Sequence, residues 1–99
     1  MSFNISQIGS DSPLFDQVFG LHKASKATLG PLPIGAFQEL AQRGQLFGAI
    51  APDGALAGYL LYRVARNRAA ITHLTSGEAF RGSGVAKLLI DQLKRDSER

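Results

Sequence analysis

Two small groups of residues carry side chains or backbone able to do chemistry. The first is the segment Arg81, Gly82, Ser83, Gly84, Val85, Ala86 and Lys87, in which two glycines one residue apart separate a basic side chain from an apolar-periodic run. A strand before it and a helix after it place these residues at a helix start. There the first-turn N–H groups lack intrahelical partners and the positive end of the helix dipole emerges. An anion, above all a phosphate, fits such a position. Without Cβ atoms, Gly82 and Gly84 let phosphate oxygens approach the main chain closely. The second group is His73 and Glu78, the titratable residues nearest that turn and the candidates for taking up a proton. Each has a plainer alternative, since a histidine within a strand also suits packing and a glutamate at a strand end also suits solvent.

Spacing separates the ligands such a loop could hold. A phosphate loop of the Walker type needs Gly-Lys-Ser/Thr, and the sequence contains no Gly-Lys pair. A dinucleotide fingerprint needs a third small residue where Lys87 stands, and a βαβ unit around it. The strands here precede the loop in hairpin order instead.

The elements that must position the loop follow from periodicity. Residues 3–8 alternate apolar and polar, as a half-buried strand does. Gly9-Ser10 ends it, and Ser12 as N-cap with Pro13 in the first helical position opens a helix. Its buried face is Leu14, Phe15, Val18, Phe19 and His22. A Pro/Gly-rich loop at 29–33 leads to a short helix over 34–43, with Phe37, Leu40 and Ala41 inward and Gly44 as the cap. Two apolar runs, 46–50 and 56–64, are joined by Pro52-Asp53-Gly54 in turn order. Arg66-Asn67-Arg68 interrupts them before a further strand at 69–75. The last helix turns Val85, Leu88, Leu89 and Leu93 inward. The predicted order is β-α-α-β-β-β-α, an α/β (α+β) domain with a mainly antiparallel sheet, occupying residues 1–99.

With that order before it, Arg81-Gly82-Ser83-Gly84-Val85-Ala86 has the form Arg/Gln-x-x-Gly-x-Gly/Ala and resembles the GNAT superfamily of acyl-CoA-dependent N-acyltransferases. The resemblance implies a cofactor, acetyl-CoA or another acyl-CoA. Its pyrophosphate would be held by Arg81, Gly82, Ser83, Gly84, Val85, Ala86 and Lys87, and its pantetheine by the backbone of Leu74, Thr75 and Ser76. It further implies direct attack of an amine on the thioester, with aligned N–H groups polarising the carbonyl and proximity supplying much of the rate. The amine, on a small molecule or a protein, would enter against residues 25–35. Members of the family carry proline where Glu78 stands. The family's domain continues with more strands and a helix, so the chain is expected to be an N-terminal portion or to be completed by another chain. The open sheet edge would then favour a homo-oligomer or a partner chain. A non-catalytic interaction module of the same fold is the alternative function.

Composition bounds these readings. At 99 residues, 44% hydrophobic and 19% charged, the chain can hold one modest core. It has no cysteine and two histidines, which argues against disulfides and metal cages. No apolar run approaches a membrane span and no signal-peptide pattern opens the chain, so a cytoplasmic protein is expected. The net charge of +3 is too small to indicate nucleic acid, and no aromatic residues are interleaved with Arg63, Arg66 and Arg68 as stacking platforms. These arginines suit either a basic rim for an anion or a solvated turn.

Overall fold

A computed structural model of the chain describes residues 3–29, 33–77, 80 and 82–97, with main chain alone at 25–29, 65 and 97. The elements are β1 (Asn4–Gln7), α1 (Phe15–Leu29), α2 (Ile34–Gln42), β2 (Leu46–Ile50), β3 (Leu56–Ala65), β4 (Arg68–Ser76) and α3 (Val85–Ser97). This is the predicted order. The strands form one sheet, β1-β2-β3-β4, with every neighbouring pair antiparallel.

The sheet separates two apolar cores, and that explains the unbroken apolar runs of β2 and β3: strands covered on both faces need no polar alternation. On one face α1 and α2 bury Phe15, Val18, Phe37 and Leu40 against Leu46, Tyr59 and Leu61. On the other, α3 lays Val85, Leu89 and Leu93 over Phe47, Leu60 and Tyr62. The spacing of these three α3 residues makes one helical stripe, and full burial of each stabilises the fold by about 1.5–3 kcal/mol. Truncating the central one, Leu89→Ala, is enough to open a cavity costing about 2–5 kcal/mol.

Turn chemistry fixes the element ends. α1 begins two residues later than its Ser-Pro signal predicts. The Leu14 N–H donates to Ser12 Oγ at 3.2 Å and the Phe15 N–H to the Ser12 carbonyl at 3.0 Å. Ser12 and Pro13 thus close a tight turn ahead of the helix. Gly44 takes φ +74°, with its N–H donating to the Ala41 carbonyl and the Gln45 N–H to that of Leu40, so it ends α2 as glycine caps do. Between β2 and β3, Gly54 takes φ +89° and Asp53 accepts the Ala55 N–H at 3.0 Å. Arg66 and Asn67 take φ +53° and +66°, which makes the β3–β4 connection a two-residue type I′ turn. In β4 the pairing steps from Leu61–His73 to Tyr62–Ile71, leaving Thr72 as a bulge. No described helix is long and apolar enough to cross a membrane.

Candidate functional site

The predicted loop is reached through the last residues of β4. Thr75 pairs with Tyr59, and the Gly77 N–H donates to the Ala57 carbonyl at 2.7 Å. Main-chain groups alternate sides along a strand, so those of Thr75 and Gly77 point to β3, while those of Leu74 and Ser76 point to the opposite edge. No described strand pairs with that edge. Of the three β4 residues predicted to meet a ligand through their backbone, Leu74 and Ser76 are therefore the two turned outward.

The chain then folds back in short bonds. The Phe80 N–H donates to the Gly77 carbonyl at 2.9 Å and the Ser83 N–H to the Phe80 carbonyl at 3.2 Å. Ser83 Oγ also donates to the Phe80 carbonyl, so this side chain braces the loop. Phe80 sets its ring edge-on to Phe3, 5.9 Å between centroids. Gly82 and Gly84 take φ +80° and +86°, and a Cβ at either would meet open space. These are conformations that residues with side chains rarely adopt, held beside an unfilled surface.

The helical ladder of α3 opens with the Leu88 N–H donating to the Gly84 carbonyl at 3.2 Å. The N–H groups of Val85, Ala86 and Lys87 precede it and have no intrahelical acceptor. Ala86 and Lys87 are exposed, whereas Val85 is buried against the sheet. The result is an exposed main-chain turn at the positive end of a helix dipole, with room for an anion. Arg81 and Glu78 lie outside the described residues.

His73 occupies different ground. Its side chain is on the α1–α2 face, where its ring stacks on His22 at 5.1 Å with planes 15° apart. Phe37 of α2 stands 4.9 Å from His22 and 5.9 Å from His73, and all three are buried. The sequence gives packing for His22 and either proton uptake or packing for His73, but nothing local shows that they meet; only the path of α1 across β4 brings them together. The acceptor wall expected at 25–35 is described in its side chains at 33–35 alone. Among the described residues, no group of three or more His, Asp or Glu side chains comes together.

Tyr59 and Tyr62 lie on opposite faces of β3, as the alternation predicts. Tyr59 is fully buried with no hydrogen-bond partner for its hydroxyl, and burial pushes its pKa far up. Tyr62 is raised by burial and, secondarily, by the Asp96 carboxylate. Its hydroxyl points at the Gly44 carbonyl, 3.4 Å away.

A three-layer α/β/α arrangement in which an antiparallel sheet feeds its β4 strand into a glycine turn and a helix start defines an α+β domain. The family-level identity agrees with the loop: residues 16–99 match the acetyltransferase (GNAT) family, and the chain belongs to that family. No curated protein is similar enough in sequence to be matched to it. Solved structures of like fold include N-acetylglutamate synthase from Neisseria gonorrhoeae in complex with coenzyme A and N-acetyl-glutamate. It is 13% identical with a TM-score of 0.84, over 99% of this chain and 23% of that one. Ribosomal-protein-alanine N-acetyltransferase from Brucella melitensis biovar Abortus 2308 is 22% identical with a TM-score of 0.74, over 98% of this chain and 72% of that one. PaiA N-acetyltransferase from Thermoplasma acidophilum, in complex with coenzyme A, is 16% identical with a TM-score of 0.72, over 99% and 73%. The chain thus spans less than a quarter of the first and nearly three-quarters of the other two. At these identities the likeness establishes the fold.

Proposed function

We propose that this chain forms the acyl-CoA-binding part of an N-acyltransferase that moves an acetyl group from acetyl-CoA to an amine. The observation that carries the reading is the pair Gly82 and Gly84, both at positive φ with open space where a Cβ would stand, immediately before the unpartnered N–H groups of α3. That cradle fits a pyrophosphate: it offers N–H donors and the helix dipole, and it has no side chain in the way. Family membership and the coenzyme A bound in the N. gonorrhoeae and T. acidophilum proteins support the same ligand.

In this reading Gly82, Ser83, Gly84, Val85, Ala86 and Lys87 hold the pyrophosphate through the main chain, with Arg81 adding charge. Leu74 and Ser76 hold the pantetheine through the outward edge of β4, and Thr75 supports them through its bonds to β3. Bound there, acetyl-CoA supplies the thioester carbonyl that an amine attacks. The protein's share is to fix that carbonyl against aligned N–H groups and bring the amine alongside it. For the amine proton Glu78 is the better placed of the two candidates in sequence, directly after Gly77. His73 is enclosed by His22 and Phe37 and is suited to holding β4 in place.

Calorimetric titration of the folded chain with acetyl-CoA tests the reading. Binding that competes with coenzyme A and weakens when Gly84 is replaced is the expected result. A folded chain that takes up neither molecule overturns it.

A further inference from the structure

A cleft of about 310 Å³ opens between α2 and the end of β3 that lies away from the glycine loop. Along β3, the run from Ala57, whose carbonyl accepts the Gly77 N–H, to Arg63 spans about 20 Å at the rise of an extended strand. A small molecule held in the cleft cannot also present an amine to a thioester at the end of β4, because reacting atoms must come within about 3–3.5 Å of each other. The cleft is a separate site.

Its helical wall follows from spacing: Ala36, Leu40 and Arg43 share one face of α2, and Glu39 stands beside them. Leu40 is buried and Ala36 half-buried, which gives the cleft an apolar floor. Arg43 reaches back along the helix to Glu39, with Nη2 2.6 Å from Oε1. Across the cleft, Arg63 shares the α1–α2 face of β3 with Tyr59 and Leu61, since side chains alternate along a strand. Arg63 is exposed and in no ion pair among the described residues. Val64 contributes main chain. The two-residue turn makes Arg63–Ala70 and Ala65–Arg68 the hydrogen-bonded pairs with β4, so Tyr62 and Val64 turn their N–H and carbonyl groups away from β4. The Tyr62 N–H donates to the Gln45 carbonyl at 3.1 Å, and β2 pairs with β3 no further along than Leu46–Leu61. The Val64 N–H, next on that side, faces the cleft beside Gln45.

These groups sort by charge. Arg63, the Val64 N–H and the Gln45 amide offer donors from the strand side, and a planar carboxylate matches the guanidinium fork. On the helix side Glu39 spends Oε1 on Arg43 and leaves Oε2 for a second cation. A dianion such as phosphate is disfavoured by the Glu39 carboxylate, and a nucleotide base by the lack of any aromatic lining. We propose that the cleft binds a free aliphatic α-amino acid as its zwitterion, with the carboxylate on Arg63 and the Val64 N–H, the ammonium on Glu39, and the side chain on Ala36 and Leu40. No bond is made or broken there, and the binding is independent of acyl-CoA.

The test is an amide NMR titration of the isotope-labelled whole chain with L-leucine, repeated with the keto acid of leucine, which lacks the ammonium group, and with inorganic phosphate. Leucine should move the Gln45, Arg63 and Val64 amide signals saturably, and the keto acid should bind about tenfold more weakly. Arg63→Gln, at an exposed position, should weaken leucine about tenfold, and Ala36→Leu, which fills the apolar floor, should abolish its binding. Both variants should keep the parent's affinity for acetyl-CoA by calorimetry, because the loop and the cleft are apart. The proposal is overturned by no movement with leucine, by movement confined to residues 74–87, by an affinity that either folded variant leaves unchanged, by equal binding of the keto acid, or by tighter binding of phosphate.

Discussion

Gly58 lies directly beneath Val85: a Cβ at position 58 would stand 2.8 Å from Val85 Cγ1 and 2.6 Å from the Thr75 carbonyl oxygen. The first residue of α3 seats on bare main chain, and the glycine turn ahead of it is placed by that contact. Strand β3 thus determines where the candidate cofactor loop sits, although the two are far apart in sequence.

Gly58→Ala is expected to destabilise the chain by about 1–3 kcal/mol, because one of the obstructing atoms is main chain and cannot rotate away. It should also lift α3 from β4 and weaken acetyl-CoA binding. Urea denaturation and calorimetry measure the two effects. An unchanged midpoint would show that the junction has slack that the geometry does not suggest.

The order of elements was legible because it rests on local signals: the predicted stripe Val85, Leu88, Leu89 and Leu93, of which Leu88 is only half-buried and outside the core, the Pro52-Asp53-Gly54 turn, and the glycine after α2. The loop was legible for the same reason, since Gly82 and Gly84 are needed by the local backbone whatever lies around them. What needed the structure depends on contacts between distant segments. The stacking of His22 on His73 requires α1 to cross β4. Which of Leu74, Thr75 and Ser76 faces outward is set by the register with β3 and by the bulge at Thr72, and a single strand carries neither. The start of α1 slipped by two residues because Ser12 accepts from the N–H of Leu14 and closes a turn first, a choice the Ser-Pro pair does not reveal.

Tyr59 makes a second prediction. Its hydroxyl is buried without a partner, so Tyr59→Phe removes a polar group that folding desolvates for no return and should stabilise the chain by about 1 kcal/mol. The pH dependence follows from the same burial. The folded chain keeps the phenol proton above its ordinary value of 10.0, while the unfolded chain releases it there. The unfolded state then binds fewer protons than the folded one, so stability is intact below about pH 10 and declines as pH rises beyond it. Tyr62, raised in the same direction, adds to the decline. Thermal melts between pH 8 and pH 11, on a scale of about one pH step each, should show the loss blunted in Tyr59→Phe. A variant that melts lower than its parent at neutral pH would mean the hydroxyl has a partner after all.

At the hairpin tip, Asn67 holds φ +66° in the second position of a type I′ turn, where glycine is the least strained residue. Asn67→Gly should therefore raise stability by about 0.5 kcal/mol, a gain of a few degrees in Tm for a domain of this size. A lower Tm would indicate that the asparagine side chain contributes more than its backbone conformation costs.

The cofactor loop supplies the most discriminating substitution. A methyl group on Gly84 meets nothing within 4 Å among the described residues beyond its chain neighbours, so Gly84→Ala has no clash to relieve there and costs the strain of a non-glycine residue at φ +86°, about 1–2 kcal/mol. The same methyl group would stand in the open space that a pyrophosphate must enter to reach the N–H groups of α3. Stability and ligand affinity should therefore separate: a folded protein with a modestly lower Tm, and acetyl-CoA binding weaker by about tenfold or more. Lys87→Ala, which removes an exposed and screened charge, should weaken binding by only about threefold and leave the Tm in place. If Gly84→Ala bound acetyl-CoA as tightly as its parent while Lys87→Ala lost it, the ligand would be held by side-chain charge and the main-chain cradle would be the wrong site.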